Sequence, residues 1–273
     1  MEPSNMIRPF IFSLSFWFMT ALFMTALFMT ACSEQQISTE SQTSGEQVEP
    51  SEPIIEYIWH KAGPEFSEAG LAEAVERWNR LIDTGPYQIR FANILTPLAD
   101  SEDYDFVWAI LWESMEARNK GWKFWEDNQQ TQWRAATSEL LSYTEESAFS
   151  FIPEIQRAPS IESDSPNFEV QFQFCNYGED VTPEQFDAFQ ADYETWLEDY
   201  ELANGLTSYW YVALDPKFEM EDSNDIIWLH IWPNKKQKKE GMAAWSNSDL
   251  LDRWQSLATC DLVDFSGKQI RGS

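Results

Sequence analysis

The chain has 273 residues, and its 46 Asp and Glu residues outnumber its 18 Lys and Arg residues to give a net charge of −28. This excess argues against binding to nucleic acids or to anionic membrane surfaces, because both partners require basic patches. A hydrophobic content of 43% with 14 Trp residues is enough for one large folded domain or two small ones.

The first 31 residues have the pattern of a secretory signal peptide. Arg8 supplies a positive charge, residues 9–31 are apolar with scattered Ser and Thr, and the small residue Ala31 precedes Cys32. A charged start, an apolar run and a small residue at the cleavage site are typical of such signals. The alternative is an uncleaved transmembrane anchor, since about 20 apolar residues suffice to span a bilayer.

The segment from Met29 to Cys32 resembles the lipobox of bacterial lipoproteins. The resemblance implies that Cys32 is lipidated and becomes the new N-terminus, and that Ser33 directs sorting to the outer membrane. Residues 32–53 are mostly Ser, Gln, Glu and Pro, and such a segment cannot bury enough apolar surface to fold. We therefore expect a lipid-anchored protein whose tether holds a folded region in the periplasm or at the cell surface.

Residues 54–154 predict the order strand, helix, strand, strand, helix, strand. The first helix is indicated by apolar residues at spacings of three and four, among them Leu71, Val75 and Trp78. We predict strands at 54–61, 87–95, 104–112 and 148–151, and helices at 67–82 and 115–141.

Residues 168–267 predict the same order after a polar linker at 155–167. Thr182 is a favourable helix N-cap, and Pro183 follows it in the first turn, where a missing backbone N–H costs nothing. The apolar stripe of this helix includes Phe189, Tyr193 and Trp196. We predict strands at 168–175, 208–214, 225–232 and 262–265, a helix after Thr182, another at 235–257, and a C-terminal tail at 268–273.

Two stretches of the chain repeat one another at a fixed offset. Five residues of the first stretch have identical counterparts 120 positions later. Such a repeat indicates one supersecondary unit used twice, here the ferredoxin-like β-α-β-β-α-β unit. Because the helices of this unit cover only one face of its sheet, we predict an α+β fold in which two units pack sheet to sheet as an intrachain pseudo-dimeric α/β barrel. The repeated residues are Asp105, Trp108, Trp112, Gly121 and Trp125, with Asp225, Trp228, Trp232, Gly241 and Trp245.

The region after the third strand resembles that of NIPSNAP-type proteins. The whole arrangement is similar to the dimeric α/β-barrel superfamily, which includes the antibiotic-biosynthesis monooxygenases. The resemblance covers most of residues 54–267, although the second copy lacks the Arg and the Asp of the first. It implies the barrel fold and, as an activity, cofactor-independent oxygenase, isomerase or lyase chemistry on small aromatic compounds. The residues that carry it are Trp112, Glu116, Arg118, Trp125, Asp127 and Trp133.

The alternation of side chains along each strand separates two faces of the predicted sheets. One face of the third strand in each copy is aliphatic, and the other carries Trp108 and Trp112 or Trp228 and Trp232. An aliphatic face suits packing against helices. We therefore predict that the four Trp residues face the barrel interior.

Polar side chains fall on the same predicted interior face as these Trp residues. Polar groups on a buried strand need partners, which are one another, water or a ligand. Together with the Trp residues they predict a small-molecule pocket, whereas the alternative is a filled core in which every imidazole and indole N–H is satisfied. The polar members of this predicted site are Glu56, His60, Arg90, Gln171, Gln173 and His230.

The sequence predicts no metal site and no cofactor. Two His residues with Glu56 are a thin ligand set and lack the close His and Cys spacing of a zinc site. Some relatives of this barrel bind haem, but two His residues give that assignment little support. Cys175 and Cys260 are disulfide candidates in an oxidising compartment, because the first and last strands of a ferredoxin-like unit are neighbours.

Three functions fit these features. The first is a membrane-anchored lipoprotein whose Trp-lined interior binds a small aromatic or apolar ligand or acts as an interaction scaffold. The second is an enzyme of the barrel type with His60 or His230 as general base, and the third is a structural domain with a filled core. We favour the first because the sequence has no nucleophile elbow, phosphate loop or metal-ligand spacing. The basic run at 235–239 predicts a solvated helix end or a docking site for an acidic partner.

Overall fold

The computed structural model describes residues 52–218 and 224–272, so the predicted signal peptide and Cys32 lie outside the described residues. The helices within these ranges are α1 (Glu68–Ile82), α2 (Met115–Asn128), α3 (Gln130–Thr137), α4 (Pro183–Asn204), α5 (Lys235–Ser246) and α6 (Asp249–Leu257). The strands are β1 (Ile54–Ala62), β2 (Ile89–Pro97), β3 (Phe106–Trp112), β4 (Leu141–Ser142), β5 (Ala148–Arg157), β6 (Asn167–Tyr177), β7 (Trp210–Pro216), β8 (Ile226–Trp232) and β9 (Ala258–Arg271).

Eight of these strands form a closed antiparallel barrel. Its order is β1-β3-β2-β9-β6-β8-β7-β5, and β5 pairs back with β1 to complete the ring. The first half of the barrel (residues 54–157) contributes the neighbours β5-β1-β3-β2, and the second half (residues 167–271) contributes β9-β6-β8-β7. The short β4 pairs with the end of β1. Closure leaves no unpaired strand edge among the eight.

The strands that join the two halves are longer than the sequence predicts. β5 pairs with β1 and then with β7, and β9 pairs with β6 and then with β2. Residues 155–157 of the predicted linker therefore belong to β5, and residues 268–271 of the predicted tail belong to β9. The physical reason is that a strand with partners in both halves needs extra length to reach the second one.

The single helix predicted after β3 is two helices, and so is the single helix predicted after β8. The stretch 115–141 divides into α2, α3 and β4, and the stretch 235–257 divides into α5 and α6. Ser114 and Asn234 cap the first member of each pair by accepting hydrogen bonds from the backbone N–H groups of Ala117 and Gln237. The two halves therefore place their helices in the same order along the chain.

The face of the sheet that points into the barrel is opposite to the prediction. The barrel interior is filled by aliphatic and aromatic side chains of both halves, such as Tyr57, Val107 and Phe172, and none of them comes from a helix. Trp108 and Trp112 instead pack beneath α1–α3. Trp228 and Trp232 pack in the corresponding layer beneath α4–α6.

Two physical reasons account for this inversion. The interior of an eight-stranded barrel is just wide enough to be filled by side chains, and residues from eight strands fill it here without polar partners. The wide indole rings lie where helices can approach them, and among the four Trp residues Trp112 donates its N–H to the carboxylate of Glu56. Gly121 makes that approach possible, since a Cβ at this position would lie 2.6 Å from the ring of Trp112.

The predicted disulfide between Cys175 and Cys260 is present. The two residues face one another directly in the β6–β9 ladder, with their Cα atoms 4.0 Å apart. Cys260 lies within β9 rather than before it, because β9 begins at Ala258. The bond therefore joins the first and last strands of the second half.

A candidate ligand-binding cleft

The layer between helices and sheet in the first half is nearly filled. Its internal cavity has a volume of about 40 Å³, which is room for water-sized molecules only. Trp125 packs edge to face against Trp133 at 5.7 Å between ring centroids, and the ring centroids of Trp78 and Trp108 are 5.3 Å apart. The residues that line this cavity include Ile58, His60, Trp78, Tyr87, Trp108, Trp112, Trp122, Trp125, Trp133 and Tyr143.

A buried carboxylate holds the centre of this first-half layer. Glu56 on β1 is completely buried. Its Oε2 accepts hydrogen bonds from the indole N–H groups of Trp112, at 3.0 Å, and Trp122, at 2.9 Å. Its Oε1 accepts from Nε of Arg118 at 2.7 Å, and the same guanidinium forms an ion pair with it. The four groups satisfy one another, so this part of the predicted site is a structural cluster.

The corresponding layer of the second half contains an open cleft of about 1000 Å³. The cleft lies between the helix-facing side of the sheet and α4, α5 and α6. Aromatic rings form most of its walls, and Cys260 of the disulfide also borders it. The aromatic lining residues are Phe186, Phe189, Tyr193, Trp196, Tyr200, Tyr209, Tyr211, Trp228, Trp232, Trp245 and Trp254.

Differences in side-chain size on the helices explain why only the second layer is open. Trp122 of α2 reaches the carboxylate of Glu56, whereas its counterpart 120 positions later is the slimmer Met242. Phe124, which packs on Tyr87, likewise has Ala244 as its counterpart. No residue of α5 is fully buried, while α2 buries three. The second-half helix therefore leaves space that large side chains occupy in the first half.

A chain of hydrogen bonds ends at a buried histidine on the floor of the cleft. The hydroxyl of Tyr209 is hydrogen-bonded to Nδ1 of His230 at 2.7 Å and to the hydroxyl of Tyr193 at 2.9 Å. Nε2 of His230 is buried and has no hydrogen-bond partner among the described residues. A buried polar atom without a partner is uncommon in proteins, and within the described residues Nε1 of Trp108 and Oε1 of Gln237 are in the same condition.

Both histidines are held in the neutral form. Burial, with a further contribution from the charge of Lys238, lowers the pKa of His230 to about 3. Burial lowers the pKa of His60 to about 4, although the hydrogen bond between its Nδ1 and the carbonyl of Ile58 opposes the shift. An imidazole with so low a pKa offers hydrogen bonds at neutral pH but is a weak proton acceptor.

A charged cluster closes one end of the cleft. Arg157 at the end of β5 forms ion pairs with Glu194, at 2.7 Å, and Glu201, at 2.9 Å, both on α4. Glu201 also accepts hydrogen bonds from Ser160 and from Thr207. The cluster joins the linker and the end of α4 to the barrel, and its one Arg and two Glu side chains leave a formal charge of −1 at this end.

The predicted site residues therefore divide between two layers instead of sharing one interior. Gln171, Gln173, Trp228, His230 and Trp232 border the second-half cleft. His60, Trp108 and Trp112 border the small first-half cavity, and Glu56 is bound to Arg118. Arg90 is exposed at an irregularity of β2, where the pairing register with β3 shifts, so the prediction that it faces the interior is wrong.

The sequence reasoning missed the residues that α4 and α6 contribute to the cleft. Tyr193 and Trp196 were predicted only as part of the apolar stripe of a helix, and Trp254 was given no role. A signal for them is present, because the stripe of α4 is largely aromatic while that of α1 contains Leu71, Ala74 and Val75 around a single Trp. An apolar stripe that is aromatic on α4, where the equivalent stripe of α1 is mostly aliphatic, indicates a ligand-binding surface rather than a closely packed core.

The prediction that no cofactor is bound stays a prediction. Within the described residues, no group of three or more His, Cys, Asp or Glu side chains could hold a metal ion. A haem iron requires an axial ligand with an accessible donor atom. His230 is the imidazole that borders the cleft, and its Nε2 is buried among the rings of Tyr211 and Trp232. The cleft therefore offers no imidazole nitrogen that is accessible to a haem iron.

Comparison with known proteins identifies the fold. No protein-family model matches the chain, and no curated protein matches it. A chlorite dismutase variant from Candidatus Nitrospira defluvii is 8% identical with a TM-score of 0.51, and the match covers 81% of this chain and 92% of that one. A candidate chlorite dismutase gives a TM-score of 0.51 at 8% identity, covering 81% and 96%. A candidate monooxygenase from Fusobacterium nucleatum gives 0.48 at 10%, covering 81% and 94%. The two structures with TM-scores of 0.51 have dimeric α/β-barrel folds, which confirms the predicted barrel.

No described helix is both long and apolar enough to cross a lipid bilayer.

Proposed function

We propose that the protein is a lipid-anchored binding protein that takes a small aromatic or apolar ligand into the second-half cleft. The observation that carries the proposal is a cleft of about 1000 Å³ walled by aromatic rings. Ligand sites of this size are typically apolar with a few oriented polar groups. Here Gln171, Gln173 and Lys236 are among the polar residues that border the cleft.

The proposal includes the origin of the two halves as ferredoxin-like repeats. Both halves have the same strand order, with the last strand beside the first and the second strand at the far edge. The residues repeated at an offset of 120 fall at equivalent places, for Gly121 lies over Trp112 and Gly241 over Trp232. Duplication explains why one layer kept a structural role while the other was free to acquire a ligand.

The proposed location is the outer membrane, with the folded region in the periplasm or at the cell surface. The support is the lipobox-like sequence that ends at Cys32 and the polar tether that follows it. A disulfide between Cys175 and Cys260 accords with an oxidising compartment. Mass spectrometry of the membrane fraction tests this point: a lipid on an N-terminal Cys32 supports it, and a mature chain that retains residues 1–31 contradicts it.

A second candidate is cofactor-independent enzyme chemistry with His230 as general base. The observation that favours it is the hydrogen-bonded chain from Tyr193 through Tyr209 to His230, which is suited to moving a proton. The lowered pKa of His230, about 3, weighs against it because so weak a base removes few protons. Turnover of an aromatic compound that is lost in His230→Gln, with affinity retained, would favour the enzyme over the binding protein.

The binding proposal is tested with the neutral fluorescent probe N-phenylnaphthylamine. The probe brightens in apolar surroundings, and we expect one saturable site in the full chain in non-ionic detergent. The double variant Met242→Trp/Ala244→Phe gives α5 the large side chains of α2, and we expect it to abolish that site. The signal of the probe in detergent without protein is subtracted from every titration.

The matched control for the double variant is Ala135→Phe, which adds a ring at an exposed position of α3 in the first half. We expect it to bind the probe as the unmodified chain does. Saturable binding that persists in the double variant, or its absence from the unmodified chain, would contradict the proposed function.

A further inference from the structure

We infer that the ligand of the second-half cleft is an aromatic anion, such as an aryl carboxylate or sulfonate. The inference rests on the proposed function and specifies the chemical class of its ligand. It follows from two indole N–H groups of the cleft that have no acceptor among the described residues, and from the position of the basic run of the chain.

Two indole N–H donors of the cleft have no acceptor among the described residues. Trp228 and Trp232 are 6% and 5% exposed, and neither indole N–H makes a hydrogen bond within the described residues. An indole N–H is a donor only, so water or a ligand that carries an acceptor must satisfy it. Both N–H groups are accessible from the cleft. Within the described ranges, Trp108 is the Trp residue whose N–H is both inaccessible to solvent and without a hydrogen-bond partner, and neither Trp228 nor Trp232 is in that condition.

The first half shows which acceptor suits this arrangement. There, the N–H of Trp112 donates to the carboxylate of Glu56. The residue at the equivalent place in the second half is Gln171, because Glu56 lies opposite Ile110 of β3 and Gln171 lies opposite His230 of β8. The second half therefore repeats the indole donor and replaces the carboxylate with a neutral amide.

Two second-half carboxylates lie near this place, and neither takes the role of Glu56. Glu169 of β6 lies opposite Trp232 in the β6–β8 ladder, and its Oε1 accepts from Oγ of Ser266 at 3.2 Å. Asp264 of β9 faces Gln171, and its Oδ1 accepts from Nε2 of Gln171 at 3.1 Å and from Nζ of Lys238 at 2.6 Å. Lys238 also lies 5.4 Å from the ring centre of Trp232. Trp232 is thus next to a cation but has no acceptor, and an anionic group of a ligand would supply one.

The basic run at the start of α5 supports the same ligand class. In a chain of net charge −28, four Lys residues occur within five positions at the start of this helix, and Lys236 among them lines the cleft together with the acidic residues Glu201 and Glu240. Lys236 lines the cleft and is 80% exposed, with Glu240 at 3.2 Å. An exposed pair of this kind contributes little free energy, so Lys236 is available to a stronger partner. Local positive charge in an otherwise acidic protein attracts anions to this entrance.

The test compares two probes that differ by one charged group. Anilinonaphthalenesulfonate has the aromatic body of N-phenylnaphthylamine with a sulfonate added. We expect the anionic probe to bind the full chain about tenfold more tightly than the neutral one at low salt, which is the size of one charge-assisted hydrogen bond. Raising the salt concentration should reduce this preference, because screening weakens exposed charge interactions.

Three variants locate the preference. Lys236→Gln and Trp232→Phe should each weaken binding of the anionic probe by about threefold to tenfold, and should leave the affinity for the neutral probe within about twofold. The matched control is Lys123→Gln, because Lys123 is also an exposed helical Lys with an acidic partner four residues later. It should change neither affinity.

The outcomes separate this inference from the proposed function. Equal affinities for the two probes in the unmodified chain would overturn the inference and leave the binding function standing. An equal loss of the anionic probe in Lys123→Gln and Lys236→Gln would also overturn it, since the preference would then be a general charge effect. If neither probe binds, the proposed function fails together with the inference.

Discussion

The two halves of the barrel have the same strand order and the same repeated residues, but they use the space beneath their helices differently. In the first half, a buried carboxylate on β1 binds Arg118, Trp112 and Trp122, and large rings fill the layer. In the second half, the carboxylate is on β9, Lys238 replaces the Arg, and an open cleft remains. The comparison teaches that a few substitutions on one helix suffice to turn a packed layer into a binding site.

The free energy of unfolding should depend most strongly on the buried carboxylate of the first half. Glu56→Leu leaves the partly buried Arg118 and the indole N–H groups of Trp112 and Trp122 without their acceptor, and we expect a loss of about 3–5 kcal/mol. Asp264→Leu removes the second-half carboxylate that pairs with Lys238 and is 39% exposed, and we expect a loss of about 1 kcal/mol or less. Urea denaturation measures both values. Equal losses in the two variants would show that the halves are built alike.

The disulfide should stabilise the second half alone. It closes a loop with a sequence separation of 85 residues, and such cross-links typically contribute about 2–4 kcal/mol by restricting the unfolded chain. We expect Cys175→Ala/Cys260→Ala to lower the unfolding free energy by this amount, as measured by denaturation. Hydrogen exchange should accelerate in β6 and β9 while β1 and β3 stay protected. Faster exchange throughout the barrel would contradict a local role.

The two neutral histidines should make the free energy of unfolding decrease as the pH falls below about 6.5. Both folded-state pKa values, about 4 for His60 and about 3 for His230, lie below the ordinary value of 6.5, so the unfolded chain binds protons first as pH falls. The stabilisation is present above about pH 6.5 and is lost as pH decreases towards these values. We expect each His to account for about 2 kcal/mol of loss between pH 7 and pH 5.

The pH effect is measured by comparing denaturation curves of the unmodified chain with those of His60→Phe and His230→Phe. Each substitution should remove about 2 kcal/mol from the difference between pH 7 and pH 5. Acidic residues contribute to the remaining dependence in all three proteins, so only the difference between curves is informative. Curves that stay parallel across this pH range would show that the imidazoles are not buried in the neutral form.

The smallest predicted effect on stability is that of filling the cleft. Met242→Trp/Ala244→Phe adds apolar area to a layer that already has space, and we expect stability to rise by about 1 kcal/mol. Probe binding should be lost in the same protein. A large loss of stability would mean that the cleft is closed in solution and that the added rings are not accommodated.

The sequence allowed the strand order and the disulfide to be predicted because both follow from local patterns. Period-two alternation identifies the strands, and the order of elements places Cys175 beside Cys260. The extra length of β5 and β9 could not be predicted in this way. Those residues are in strands because each strand has a second partner in the other half, which is a property of the closed barrel.

The inside of the barrel was predicted on the wrong face because both faces of its strands are apolar. Alternation separates Val107 from Trp108 but does not state which of them faces a helix. The spacing between Trp112 and Gly121, repeated at Trp232 and Gly241, contains the missing information. A Gly on α2 allows that helix to approach a wide ring, so the indole must lie beneath the helix.

The cleft itself was beyond prediction from either copy alone. Its existence depends on Met242 and Ala244 being smaller than their counterparts Trp122 and Phe124, and that comparison has meaning only once the Trp face is known to lie under the helices. The His230 floor was identified from its strand position, whereas the Tyr209 hydroxyl that orients it comes from the residue just before β7.

Hydrogen–deuterium exchange of the two equivalent helices, with and without N-phenylnaphthylamine, tests the difference between the halves most directly. A ligand in the second-half cleft should slow exchange in α5, Lys235–Ser246, and in the facing part of α4. Exchange in α2, Met115–Asn128, should be unchanged, because its layer has no room for the probe. Slower exchange in α2, or no change in α5 at saturating probe, would contradict the account.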